Sequence, residues 1–156
     1  MSSGEVDTSS IVSEILKSGK QLFVPRIDKT TAGKMDFVRV YNAEDLSSSP
    51  AGLWGIKEPS PEYSGHPRAN ALDEGLDMIL MPGVAFDRSM SRLGHGKGYY
   101  DRYISKYVAT GRSRPSLVAL SLQEQMVEGN PVPVDDTDWK VDAIVLPDEV
   151  LEGTSS

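Results

Sequence analysis

Short apolar runs, separated by polar segments rich in glycine and proline, recur along the chain. Each run has the length and composition of a buried β-strand. We predict strands at residues 21–25, 34–41, 76–80, 116–122 and 143–146. In the second of these, apolar side chains fall on both faces, which predicts a strand covered on both sides.

Two segments have apolar residues at helical spacing. In the first, Asp7 or Thr8 is a candidate N-cap and Gly19 is a suitable end. In the second, which follows three glycines, tyrosines recur every four residues. The apolar positions that define these helices are Ile11, Val12, Ile15 and Leu16, and then Tyr99, Tyr103 and Tyr107. Strands alternating with amphipathic helices predict an α/β layered fold with a largely parallel sheet.

Residues 42–75 interrupt this pattern. Prolines and serines discourage long regular elements there, so we predict a long irregular loop region. His66 lies in this region without a partner at metal-ligand spacing, and we interpret it as a surface residue. At 156 residues, the chain is expected to form a single domain over residues 1–156.

Composition excludes several classes of function. The net charge of −7 argues against nonspecific nucleic-acid binding, which depends on Lys and Arg neutralising phosphates. The chain has no cysteine, so disulfides and cysteine–zinc sites are excluded. It has no apolar run near 20 residues and no apolar segment of secretory type at its start, so we expect no membrane partner and a cytoplasmic location.

The basic, glycine-rich stretch at residues 88–102 is the exception on this acidic chain. Glycines alternate there and a helix follows, and a strand–glycine loop–helix arrangement can direct backbone N–H groups at an anion. Lys97 adds a mobile charge suited to phosphate, Arg92 adds a forked donor, and Asp101 has the chemistry of a divalent-cation ligand. The pattern therefore predicts a nucleotide-phosphate site with a magnesium ligand.

Simpler interpretations apply to the same residues. The glycines fit neither common nucleotide motif and are also compatible with a flexible turn, and the basic residues with a solvated face. The tyrosine stripe is typical of core packing, and Val84, Phe86 and Leu93 are also interpreted as packing residues. Asp135, Asp136 and Asp138 either lie in a solvated loop or supply a second carboxylate ligand for a metal.

The complete string resembles a known signature. Met81-Pro-Gly-Val-Ala-Phe-Asp87, followed by Arg92-Leu-Gly-His-Gly-Lys-Gly-Tyr-Tyr-Asp101, is similar to that of the 5-formyltetrahydrofolate cyclo-ligase family. Resemblance extends to the segment around Trp54, to Gln123–Gln125 and to Asp138 with the Lys-Val-Asp element after it. It implies a Rossmann-like three-layer α/β/α sandwich. It also implies an enzyme that acts on small molecules, and we expect it to be a monomer.

The resemblance also implies a reaction and its site. The family closes 5-formyltetrahydrofolate to 5,10-methenyltetrahydrofolate with ATP and Mg²⁺, releasing ADP and phosphate. Lys97 and Arg92 would be the catalytic residues, and Asp101 and Asp138 would hold the metal. ATP would contact Arg92, Leu93, Gly94, His95, Gly96, Lys97, Gly98, Tyr99 and Tyr100. Folate would contact Glu5, Trp54, His95, Gly96, Lys97, Gly98 and Tyr99.

One feature departs from the family pattern. Family members carry a further N-terminal segment, including a basic helix that contributes to ATP binding, so the resemblance implies that this chain is shortened. Two other functions therefore stay open: a folate- or nucleotide-binding pseudoenzyme, and a sugar-phosphate enzyme of similar fold. Adenine-nucleotide binding would separate the last from the others, and turnover would separate the enzyme from the pseudoenzyme.

Overall fold

The computed structural model describes residues 7–28, 30–31, 34–49, 58–94, 96–129 and 131–153. These form two compact units, one over the described residues from 7 to 75 and one over those from 76 to 153. The single-domain organisation stays a prediction. Among the described residues, none of the helices has the length and apolar character needed to cross a membrane.

The first unit is built on an antiparallel hairpin. Helix α1 (Ser9–Lys17) precedes strands β1 (Leu22–Ile27) and β2 (Met35–Val40). The strands pair from Leu22 opposite Val40 to Ile27 opposite Met35. In β2, Phe37, Val38 and Val40 are all buried, so the predicted two-sided cover is confirmed. The antiparallel pairing departs from the expected parallel sheet, because the short connection cannot hold a parallel crossover.

In the part of the predicted irregular region that the structure describes, residues 42–49 and 58–75, the elements are short. They are α2 (Ala43–Ser47), β3 (Glu62–Tyr63), β4 (His66–Pro67) and α3 (Ala71–Glu74). His66 is exposed, as predicted. The region is tied together by Arg68, whose guanidinium nitrogens donate to both carboxylate oxygens of Asp45 at 2.7 Å. Hydrogen bonds from the Arg68 guanidinium hold the pKa of the Asp45 carboxyl below its usual range.

The second unit contains the parallel sheet. Strands β5 (Met78–Met81), β8 (Ser116–Leu120) and β9 (Ala143–Val145) are parallel neighbours, and β10 (Val150–Glu152) adds an antiparallel edge. The strands β6 (Ala85–Phe86) and β7 (Arg92–Leu93) form a small antiparallel pair after β5. Helix α4 (Tyr99–Ala109) then leads back to β8. The predicted α/β class with a mostly parallel sheet is therefore confirmed.

The core of this unit confirms some packing predictions and corrects others. Phe86, Tyr103 and Tyr107 are almost completely buried. Val84 and Leu93 are instead 47% and 38% exposed, so their assignment to packing was wrong. Phe86 is paired with Arg92 across β6 and β7, and neighbouring residues of a strand point to opposite faces. Burial of Arg92 therefore leaves Leu93 on the outward face.

Candidate functional site

The basic glycine-rich stretch lies between the sheet and helix α4. The chain leaves β5 at Met81, forms the β6–β7 pair, and enters α4 through Gly98. Gly98 has φ of +66° and is the N-cap of the helix, with no side chain that can cap it. Gly98 has no side chain that could accept from the first-turn N–H groups, which have no intrahelical partner in an α-helix.

The hairpin before the loop is tightly built around Gly83. A Cβ atom at that position would lie 2.6 Å from Cζ of Phe86 and 3.1 Å from Cγ of Arg92. The Gly83 carbonyl accepts a hydrogen bond of 2.8 Å from the side chain of Gln125. The residue thus has a packing function, because the chain approaches a buried aromatic ring too closely for any side chain.

Arg92 is buried, with a side-chain exposure of only 6%. One guanidinium nitrogen donates to the Pro82 carbonyl at 2.8 Å, and the other donates to Oδ2 of Asp101 at 3.0 Å. The group also lies 5.8 Å from the centre of the Tyr100 ring. Its Nε is buried without a hydrogen-bond partner among the described residues. Arg92 is therefore fixed from two sides.

Asp101 accepts two hydrogen bonds. Besides the one from Arg92, its Oδ1 accepts from the backbone N–H of Trp139 at 2.9 Å. Its side chain is 14% exposed. The structure thus pairs the predicted phosphate-binding arginine with a predicted metal ligand. This contact was missed because the two residues are nine positions apart and meet only where β7 and α4 come together.

Asp138, the other predicted metal ligand, immediately precedes the residue that binds Asp101. Its Oδ2 accepts a hydrogen bond of 2.9 Å from the backbone N–H of Asp135. Asp101 is thus bound to the residue that follows Asp138 in the chain, through the backbone N–H of Trp139. In the described ranges, no group of three or more Asp, Glu, His or Cys residues is arranged to hold a metal. Metal binding at these two residues stays a prediction.

The exposed part of the loop carries Lys97. Lys97 and the flanking Gly96 and Gly98 are exposed. The Lys97 carbonyl accepts a hydrogen bond from Arg102, whose guanidinium lies 5.8 Å from the centre of the Tyr99 ring. A side chain of helix α4 therefore holds the loop backbone at Lys97, while the Lys97 side chain is exposed.

Tyr99 and Tyr100 begin helix α4 and are both half-buried. Burial raises the pKa of Tyr100 to about 12, against a smaller opposing effect of the Arg92 charge. Tyr100 therefore keeps its proton at neutral pH and is a neutral neighbour for the guanidinium.

Three predicted site residues, Glu5, Trp54 and His95, lie outside the described residues. Their assignments to folate, and that of His95 to ATP as well, stay predictions. The described ATP and folate candidates, Arg92 to Gly94 and Gly96 to Tyr100, are brought together by the chain itself, since they run from β7 into the first turn of α4.

Sequence reasoning missed the residue that shapes the hairpin. Buried Asp87 accepts hydrogen bonds from the backbone N–H groups of Ser89, Ser91 and Val132. It thereby ties the β6–β7 turn to the segment before the acidic loop. The Asp-x-Ser pattern is a signal for such a local turn, but the bond to Val132 spans 45 positions and has no sequence signature.

The first unit has a groove of about 540 Å³ between α1 and α2. It is lined by residues such as Val12, Leu16 and Leu46. None of the described candidate site residues lines it, so it adds nothing to the assignment.

Comparison with known proteins finds one family whose members are similar to most of this chain. The model of the 5-formyltetrahydrofolate cyclo-ligase family matches residues 1–147. The chain is 39% identical to a mouse 5-formyltetrahydrofolate cyclo-ligase, covering 92% of this chain and 68% of the relative. It is 36% identical to a probable 5-formyltetrahydrofolate cyclo-ligase of Caenorhabditis elegans, covering 96% and 70%.

A solved structure supports the fold. The structure of a 5,10-methenyltetrahydrofolate synthetase from Mycoplasma pneumoniae is similar to this chain with a TM-score of 0.58 at 16% identity. The similarity covers 89% of this chain and 63% of that one. The chain thus spans about two thirds of the length of these proteins.

Proposed function

Because the chain belongs to the 5-formyltetrahydrofolate cyclo-ligase family, a family of enzymes, we propose that it closes 5-formyltetrahydrofolate to 5,10-methenyltetrahydrofolate. The reaction consumes ATP and releases ADP and phosphate. The observation that carries this proposal is the loop from β7 to α4, which contains buried Arg92, exposed Lys97 and a helix N-terminus whose N-cap, Gly98, has no side chain. These are three kinds of phosphate-binding group in one short stretch.

The chemistry requires an activated formyl oxygen. Transfer of the γ-phosphoryl group to that oxygen breaks the bond to ADP and forms an imidate-like phosphate ester. The folate N10 then attacks the formyl carbon and loses its proton, and phosphate leaves with the former formyl oxygen. No protein nucleophile is needed, so the protein contributes positioning and charge stabilisation.

Arg92 and Lys97 would supply charge stabilisation in two different ways. Arg92 is held by the Pro82 carbonyl and by Asp101, so it offers a guanidinium charge in a fixed position. Lys97 is exposed and offers a mobile charge that can follow the transferring phosphoryl group. The N-terminal turn of α4 adds backbone N–H donors.

Asp101 and Asp138 have the oxygen donors that Mg²⁺ prefers, and this ion commonly uses one or two carboxylates together with phosphates and water. Each carboxylate oxygen that accepts one hydrogen bond keeps a second lone pair. The residues therefore fit the ion, which when bound would offset phosphate charge. Asp101 itself holds Arg92, and Asp138 accepts a hydrogen bond within the acidic loop.

The direct test mixes the chain with MgATP and 5-formyltetrahydrofolate and follows methenyltetrahydrofolate by its ultraviolet absorbance. We expect a signal that requires both ATP and Mg²⁺. MgATP binding without turnover would favour the binding-only alternative, and absence of any adenine-nucleotide binding would contradict the proposal.

The Lys97→Ala variant tests the site. Loss of one electrostatic donor is expected to lower kcat by about 100- to 1,000-fold. Lys20→Ala, at an exposed lysine after α1, is the matched control and should retain activity. Near-wild-type turnover by a folded Lys97→Ala variant would refute the assigned function of this side chain.

A further inference from the structure

Trp139 contacts helix α4 through two different groups. Its backbone N–H donates to Oδ1 of Asp101, and its indole Nε1 donates to Oγ of Ser105, both at 2.9 Å. Asp101 and Ser105 are four positions apart, so they lie one turn apart on the same face of the helix. The backbone and side chain of one residue therefore clamp one turn of α4.

The indole ring also contacts Arg114. The Arg114 guanidinium lies 5.6 Å from the ring centre and donates to both carboxylate oxygens of Asp142 at 2.9 Å. Asp142 in turn accepts from the backbone N–H of Leu117 in β8 at 2.7 Å. These contacts link the indole to the parallel sheet.

This anchoring matters because residues 131–140 contain neither helix nor strand among their described positions. A backbone N–H on such a segment has no regular element to fix its direction. The side-chain contacts of Trp139 supply that constraint, and they place its N–H on Oδ1 of Asp101. The other oxygen of Asp101 then faces Arg92.

We propose that Trp139 is a positioning residue for the phosphate site, which orients Asp101 and through it Arg92. The proposal rests on the proposed function for its link to ATP. The hydrogen bond from the indole to Ser105 is the element that can be removed from either end without altering a group assigned to ligand binding.

The experiment compares Ser105→Ala and Trp139→Phe, the corresponding double variant, and the conservative Ser105→Thr. Ser10→Ala, at an exposed serine in helix α1, controls for the change in helix propensity. The first readout is the ¹H–¹⁵N spectrum, in which the chain's two tryptophans give two indole signals. Loss of one signal in Trp139→Phe identifies the Trp139 indole.

The second readout is hydrogen exchange of the backbone amide at position 139, measured in each protein without ligand. The third is MgATP affinity by calorimetry, together with kcat and KM. Losing one hydrogen bond should raise amide exchange and weaken MgATP binding by about 2- to 10-fold in either single variant. The double variant should be no worse than the singles, and Ser105→Thr should restore both properties.

The outcomes separate this inference from the proposed function. An unchanged Trp139 indole signal or unchanged amide exchange in Ser105→Ala would overturn the inference. Faster exchange with unaltered MgATP affinity and turnover would also overturn it. MgATP binding and catalysis would then not depend on the hydrogen bond from Trp139 to Asp101. If the wild type neither binds MgATP nor turns over, the proposed function fails, and with it the link of Trp139 to ATP. The exchange data then decide only whether Trp139 orients Asp101.

Discussion

Neutralising Asp101 is the most informative perturbation of the site. In the Asp101→Asn variant, the buried guanidinium of Arg92 loses its only charged acceptor among the described residues and keeps the Pro82 carbonyl. The two side chains are 6% and 14% exposed, so water cannot readily replace the lost carboxylate. Breaking a buried pair by removing one partner costs about 3–5 kcal/mol.

The matched control is an exposed ion pair in the same unit. Arg88 and Glu128 approach to 3.2 Å, but their side chains are 52% and 64% exposed. Glu128→Gln makes the same carboxylate-to-amide change and should cost about 0–1 kcal/mol, since exposed pairs are screened by solvent. The two variants therefore differ chiefly in burial.

Urea unfolding measures the difference. With a slope of about 1–3 kcal/mol per molar urea, a loss of about 3 kcal/mol lowers the midpoint by about 1–3 M, whereas Glu128→Gln should shift it little. Turnover of Asp101→Asn should also fall, because Arg92 is no longer held. If Asp101→Asn is as stable as Glu128→Gln, Arg92 is not held by this carboxylate, and the positioning argument is refuted.

Two further predictions concern the frame around the site and the first unit. Gly83→Ala should cost about 1–3 kcal/mol by overpacking, because the new Cβ would lie 2.6 Å from Cζ of buried Phe86; a urea midpoint within error of wild type would contradict this. The lowered pKa of Asp45 contributes stability that is fully present above its unfolded value of about 3.9 and is lost as pH falls through the folded pKa. The melting temperature of wild type should therefore fall on acidification below about pH 5, and Asp45→Asn should be less stable near pH 7 but less sensitive in that acidic range. Parallel pH profiles for the two proteins would refute this.

Local patterns predicted which residues of the candidate site lie near one another. The alternating glycines, Lys97 and the tyrosine stripe are contiguous in sequence, and a loop leading into a helix brings such residues together without long-range contacts. Apolar runs likewise predicted β5, β8 and β9, because a buried strand needs side chains that can lose water on both faces. Composition excluded cysteine chemistry outright.

Tertiary structure decided which of these residues are exposed and which are buried and bound to a partner. Arg92 appears in the sequence as one more basic residue of an exposed stretch, yet pairing of β6 with β7 turns it inward to Asp101. The bond from Trp139 to Asp101 spans 38 positions, so no periodicity could indicate it. The sequence by itself determined the types of chemical group and their local order. Folding determined their partners, because desolvation and hydrogen-bond geometry depend on neighbours that are distant along the chain.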